Sequence, residues 1–313
     1  MQHLQILWPD SIDIREVSPR DGLQAEPQIL PTEQKVELIK KLGQAGLRRI
    51  EAASFVHPKW LPQMADAEEV MRQIPRSANI RYSVLVPNLA GLERALGTKP
   101  DEITVFVSAS ETHNRKNVNR SIEESVEGFK TIVSRSHVSG VEVSAVIVTA
   151  FGCPYEGAVP VSRILDLIDQ FQGMGIRQVT LGDTVGTANP RQVYHTIKTI
   201  YNRFPDIMLG LHFHDNRGTA LANMLAAISA GATYFDTALG GIGGSPFSPG
   251  AGGNLATEDL VYILEESGIS TRVELSSLIA TGDLLEQWIG HELPSRVHRA
   301  RGRMVPVSGE RQE

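Results

Sequence analysis

The sequence predicts an α/β fold, a single (β/α)8 TIM barrel with extra C-terminal helices, on three observations. Eight short β-branched runs recur along the 313 residues, amphipathic helical patterns with recognisable ends separate them, and no break in composition marks a second domain. An open doubly wound sheet is the rival, but no Gly-x-Gly-x-x-Gly follows the first run. The barrel and its helices are expected over residues 1–295, with 296–313 a polar, Arg-rich, mobile tail.

The strand-like runs start at Ser11 and recur at 47–53, 80–86, 102–107, 141–148, 176–181, 207–213 and 232–236. Thr32 is placed to cap a helix with Val36, Ile39 and Leu42 on its apolar face and Gly46 beyond its end. Ser121-Ile-Glu-Glu124 has capping-box spacing. Ser162 precedes Leu165 and Ile168, with Gly173 as the stop. Asn189-Pro190 sets a cap and a first-turn proline ahead of Val193, Ile197 and Ile200. Residues 257–290 supply more helix after the eighth strand, enough to brace the barrel.

A hydrophobic content of 41% lets a chain of this length bury a large core. The net charge of −6 argues against general nucleic-acid binding or a basic membrane surface. One cysteine allows no intrachain disulfide and fits a reducing compartment. The first ten residues lack the basic start and apolar core of a signal peptide, and no apolar run reaches the ~18–20 residues of a membrane span. The expectation is a cytoplasmic α/β protein.

Chemistry concentrates at His212-Phe-His-Asp215. Side chains alternate along a strand, so Leu209, Leu211 and Phe213 share one face while Gly210, His212 and His214 share the other. Two imidazoles then aim at one point. In a barrel the active site lies at the C-terminal strand ends, which gives polar residues there special weight. The first strand ends in Arg20-Asp21, readable as a structural ion pair or as an oxygen ligand beside an arginine that holds an anionic oxygen. Glu51 ends the second strand facing inward, where it neutralises Arg20, orients it or relays a proton. Asp183 ends the sixth as a helix cap or a catalytic carboxylate. After the eighth comes a glycine-dense loop from Gly240 through Ser245 to Asn254, suited to folding over a ligand. Asp21, His212, His214 and Asn254 would give two nitrogens and two oxygens, a set for magnesium, manganese or cobalt. Cys153 reads as a small buried residue.

Assembled, these segments resemble the 3-hydroxy-3-methylglutaryl-CoA lyase family, within a metal-dependent lyase and synthase superfamily of (β/α)8 barrels. The pieces are Ser18-Pro-Arg-Asp-Gly-Leu-Gln24, Ser54-Phe-Val-His-Pro-Lys-Trp60, Gly152-Cys-Pro-Tyr-Glu-Gly157, Leu181-Gly-Asp-Thr184, His212-Phe-His-Asp215 and Gly253-Asn-Leu-Ala-Thr-Glu-Asp259. They stand in family order over roughly residues 12–290. The resemblance implies a divalent metal on Asp21, His212, His214 and Asn254. It assigns Arg20 to a developing enolate, Glu51 to that arginine, and Asp183 to acid–base work, with His212 sharing it. The reaction implied is retro-Claisen cleavage of a 3-hydroxyacyl-CoA, giving acetyl-CoA and a keto acid, in a homodimer.

The family loop carries a catalytic cysteine where this chain has Ser245, and a serine hydroxyl is a far weaker acid than a thiol. Val146 and Pro27 stand where the family commonly has a tyrosine and a lysine, which implies a reshaped pocket. Two alternatives stay open. A Claisen-condensing synthase of the citramalate or isopropylmalate type shares Arg-Asp and His-x-His. Such synthases generally read Gly-Glu-Arg-Ala-Gly-Asn before the last ligand, against Ser248-Pro-Gly-Ala-Gly-Gly-Asn254 here. A barrel that binds metal and CoA esters without turnover is the other. For CoA phosphates, Lys59, Arg115 and Lys116 are the candidate partners.

Overall fold

Hydrophobic alternation along each strand sets both layers of the molecule. In the computed structural model, which describes residues 8–244 and 253–300, eight parallel strands close in sequence order into a barrel. They are β1 (Asp13–Glu16), β2 (Arg49–Ser54), β3 (Arg81–Leu85), β4 (Glu102–Ser108), β5 (Glu142–Val148), β6 (Gln178–Asp183), β7 (Met208–Phe213) and β8 (Tyr234–Thr237). Every expected strand is present, each shifted by only a few residues. Pairing of β1 with β8, Asp13 opposite Tyr234 through Glu16 opposite Thr237, closes the ring. Outward-facing residues such as Val105, Ile147, Leu181 and Leu211 are fully buried beneath the surrounding helices. Burial on that scale, at about 25 cal/mol per Å² of apolar surface, is what holds the helices on.

The helix signals fare unevenly. Ser121 forms a complete capping box with Glu124, and Asn189 Oδ1 accepts from Gln192 N at 3.0 Å ahead of Pro190. Thr32 does not cap: it is the first residue of the helix Thr32–Gln44, and its hydroxyl donates to Asp66 at 2.7 Å. Ser162 likewise lies inside the helix Val161–Gly173, behind Pro160. In both cases the preceding proline supplies the entry geometry. Helices Thr257–Glu266 and Leu275–Ile289 brace the barrel as expected. The expected tail begins differently: Arg296–Ala300 forms a short helix that buries His298, with Asp259 accepting from Ser295 Oγ and from the Arg296 and Val297 amides. Residues 301–313 lie outside the described residues.

Inside the barrel the lower layer is charged rather than aliphatic. Arg15, 1% exposed, donates through Nε and Nη2 to the two oxygens of Asp236 at 2.9 and 2.7 Å, across the β1–β8 seam. Glu102 lies 3.6 Å from Arg15 and accepts from Ser144 at 2.6 Å. This network forms the floor on which the site stands.

Candidate active site

After β1 the chain winds one π-helical turn, Ser18–Gly22, in which the amides of Asp21 and Gly22 both donate to Val17 O. The turn throws Arg20 and Asp21 over the C-terminal mouth. There Arg20 Nε donates to Glu51 Oε2 at 2.5 Å, and Nη1 donates to Asp21 Oδ1 at 2.5 Å. One guanidinium thus locks the ends of β1 and β2 together. Burial disfavours ionised Asp21, but Arg20 outweighs it, aided by His212, His214 and Asn254, and holds its carboxyl down at about 2.

On β7 the alternation works as the sequence implies. Leu209, Leu211 and Phe213 are buried in the outer core, and the Nε2 atoms of His212 and His214 converge to 3.2 Å. Asn254 joins them through backbone pairing. Residues 253–255 run beside 213–215, with Asp215 N donating to Gly253 O and Leu255 N to Phe213 O, both at 2.9 Å. The Asn254 amide then donates to Asp21 Oδ2 at 2.9 Å, while its Oδ1 is buried with no hydrogen-bond partner. Gly243, at φ +111°, lies so close that a Cβ there would sit 2.4 Å from Asn254 Nδ2; glycine is required. Asp21, His212 and His214 present ligand atoms within 4.8 Å of one another. Two converging imidazoles, an ionised carboxylate and an orphaned amide oxygen are a donor set that fits a divalent cation.

Sequence reasoning missed Asp236. Its Oδ2 lies 3.3 Å from His212 Nδ1 while Arg15 grips both of its oxygens. A carboxylate on Nδ1 fixes the tautomer that leaves Nε2 free as a ligand. The only sequence signal was inward parity with Tyr234 on a strand too short to show a pattern. Asp236→Asn is expected to weaken divalent-metal affinity by about 10–100-fold, read by calorimetric titration of the metal-stripped protein; an unchanged affinity would refute the orienting role.

Arg20, Asp21, His212, His214 and Asp236 line a cleft of about 1220 Å³ at the barrel mouth, shared with His113, Lys116 and Arg120. The family model described as HMGL-like matches residues 11–285. The chain belongs to the HMGL-like family. It is 46% identical over 289 residues to the Bacillus subtilis hydroxymethylglutaryl-CoA lyase YngG, covering 92% of this chain and 97% of that one. The crystal structure of a B. subtilis HMG-CoA lyase superposes with a TM-score of 0.92 at 45% identity, over 94% of this chain and 99% of that one. An Acinetobacter baumannii HMG-CoA lyase solved with coenzyme A and 3-methylmalate gives a TM-score of 0.90 at 41% identity, over 97% and 98% of the two chains. This HMGL-like chain is a carbon–carbon lyase.

Other residues singled out in the sequence of this HMGL-like barrel fall less centrally. Asp183 is fully buried, and its oxygens accept from the Thr187 and Ala188 amides at 2.9 and 3.1 Å, so it anchors the loop after β6. Burial pushes its carboxyl upward against those two bonds. Ser245 lies outside the described residues. Cys153 is buried against Ser110 Oγ at 2.9 Å, in keeping with a packing role. Of the three cations considered for phosphates, Lys116 lines the cleft, whereas Arg115 pairs with Glu111 at 2.8 Å. Arg120, which the sequence did not single out, lines it too.

Two buried glutamates hold the foot of the glycine loop. Glu16 accepts from the amides of Ser18 and Leu239 and from the Thr257 hydroxyl, and Glu258 accepts from Gly240 N through both oxygens. Burial, with Glu16 and Asp259 nearby, pushes Glu258 up to about 8. A raised carboxyl binds its proton more tightly in the folded state. Its stabilising contribution is therefore complete below the ordinary glutamate range and is lost as pH rises toward 8. Glu258→Gln is expected to match the native Tm near pH 5 and exceed it by several degrees at pH 8.5; parallel melting curves across that range would contradict it.

Proposed function

We propose that this enzyme cleaves 3-hydroxy-3-methylglutaryl-CoA to acetyl-CoA and acetoacetate in a divalent-metal-assisted retro-Claisen reaction. One observation carries the reading: a clamped Arg20 beside Asp21 and the converging imidazoles of His212 and His214, in an HMGL-like barrel. Asp21, His212, His214 and Asn254 would hold magnesium, manganese or cobalt, which supplies polarisation of the substrate's hydroxyl and carbonyl oxygens. Arg20 sits where the thioester enolate's negative charge develops, and Glu51 keeps its fork from swinging away. Because Asp236 occupies Nδ1 of His212, we assign His212 to ligation rather than proton uptake. We assign the C3 hydroxyl proton to Asp183, as the family resemblance implies, in keeping with a carboxyl that burial pushes upward. Breaking the C2–C3 bond leaves the acetyl-CoA enolate, protonated at C2 from the loop that carries Ser245.

The test is acetyl-CoA release from 3-hydroxy-3-methylglutaryl-CoA with magnesium or manganese, native against Ser245→Cys. Native turnover is expected, with kcat rising tenfold or more in the variant, within the roughly 10²–10⁴-fold range of acid–base catalysis. Absence of cleavage by both, with metal still bound, would remove this substrate. We also infer a cytoplasmic homodimer from the family resemblance, which sedimentation would check. Among the described residues no helix is long and apolar enough to cross a membrane.

A further inference from the structure

The cleft has two chemically distinct walls. Lys116 and Arg120 line the cleft beyond the end of β4, while at the level of the strands Arg20, Asp21, His212, His214 and Asp236 line the β1, β7 and β8 side. Opposite them, β3 to β5 present Leu85, Phe106, Val146 and Val148. These four point inward: Leu85 and Val146 are each 8% exposed and the other two more so, whereas their outward neighbours Val84, Val105, Val107, Ala145 and Ile147 are at 0%. Phe106 stands directly opposite Val146 in the β4–β5 register. On β6, between β5 and β7, the residue level with His212 is Gly182, and a Cβ there would lie 3.5 Å from the Val148 backbone. No side chain on β6 therefore separates the imidazole from the apolar wall. Polar residues of these strands lie deeper or are engaged with one another, as in Thr104 with Ser144 at 3.3 Å and Ser108 with Thr149 at 2.7 Å.

We propose that this wall receives the alkyl substituent on C3 of the substrate, and that it is built for a substituent longer than methyl. The inference rests on the lyase reading above and extends it to substrate class. Neighbouring strands lie about 4.8 Å apart, so a patch across three strands spans roughly 10 Å. A methyl group touches one of these side chains at a time; an ethyl or propyl chain reaches across two. Each methylene moved from water onto the wall gains about fourfold in kcat/KM. The chemistry is unchanged along the series. The C3 hydroxyl loses its proton, C2–C3 breaks, C2 gains a proton, and the products are acetyl-CoA and a 3-oxo acid lengthened by the extra carbons.

The experiment compares 3-methyl, 3-ethyl and 3-propyl 3-hydroxyglutaryl-CoA as substrates, with calorimetric Kd values for the same thioesters. Native enzyme is expected to show kcat/KM rising from methyl to propyl. Val146→Tyr, which fills the wall, should cut propyl turnover at least tenfold more than methyl turnover. The near-isosteric Val146→Thr, which is less prone to misfold, should flatten the series without abolishing it. A stepwise fall with chain length, or equal loss for methyl and propyl in both variants, overturns the proposal. If no thioester is cleaved while affinity still rises with chain length, the lyase reading fails and the wall assignment stands. If affinity is also flat, both fall.

Discussion

Arg20→Gln is expected to lower kcat by about 10³-fold with little change in KM, because in the proposed mechanism Arg20 meets charge that exists only once the C–C bond is breaking. The effect has a second component. Arg20 is the cation shared by Glu51 and Asp21, and Glu51 is fully buried. Removing it strands two carboxylates, a change that in buried pairs costs about 3–5 kcal/mol. A lower Tm should therefore accompany the kinetic loss. Arg20→Lys restores the charge but not the fork, so it should recover part of the stability and little of the rate. Steady-state acetyl-CoA release and thermal melts measure both. A variant with near-native kcat would exclude Arg20 from the transition state.

The second large effect is expected at His214. Its Nε2 meets that of His212 at 3.2 Å, and its backbone bridges Asn254, so one residue joins two of the four proposed ligands. His214→Ala should reduce manganese affinity by more than the roughly 10–100-fold that loss of an outer partner costs. Turnover at limiting metal should fall in parallel. Because the strand pairing is made by backbone atoms, the melting temperature without metal should change little. Titration of the stripped protein decides: a Kd within threefold of native would mean the ligand set is wrongly drawn.

Much of this was readable from the chain. Period-two alternation put His212 and His214 on one face, and the rule that barrel sites gather at strand ends drew Arg20, Asp21 and Glu51 toward them. Asn254 was placed by its position after the glycine loop; its actual cause, pairing of 253–255 beside 213–215, is a long-range contact that leaves no local mark. The same limit hid Asp236 and Arg15, whose meeting depends on closure of the β1–β8 seam across 221 positions. Asp183 was ambiguous because one aspartate serves equally as loop anchor or proton carrier, and two backbone amides show the first role directly. Thr32 and Ser162 misled for a simpler reason. Pro31 and Pro160 already set the two helix entrances, so neither hydroxyl is needed there.

The Arg15–Asp236 seam bears on how the protein is made. A ribosome that has translated as far as β7 has produced seven strands and Glu102, but not the carboxylate that takes two hydrogen bonds from the guanidinium of the first. Until residue 236 emerges, the nascent barrel holds Arg15 without its two closest hydrogen bonds and has two unmatched edges, so it has little reason to close early. At about 5–20 residues per second, the 221 positions from Arg15 to Asp236 take roughly 10–45 s to synthesise. Chaperone demand during translation should therefore peak late, and truncation just before β8 should yield aggregates instead of a smaller stable barrel.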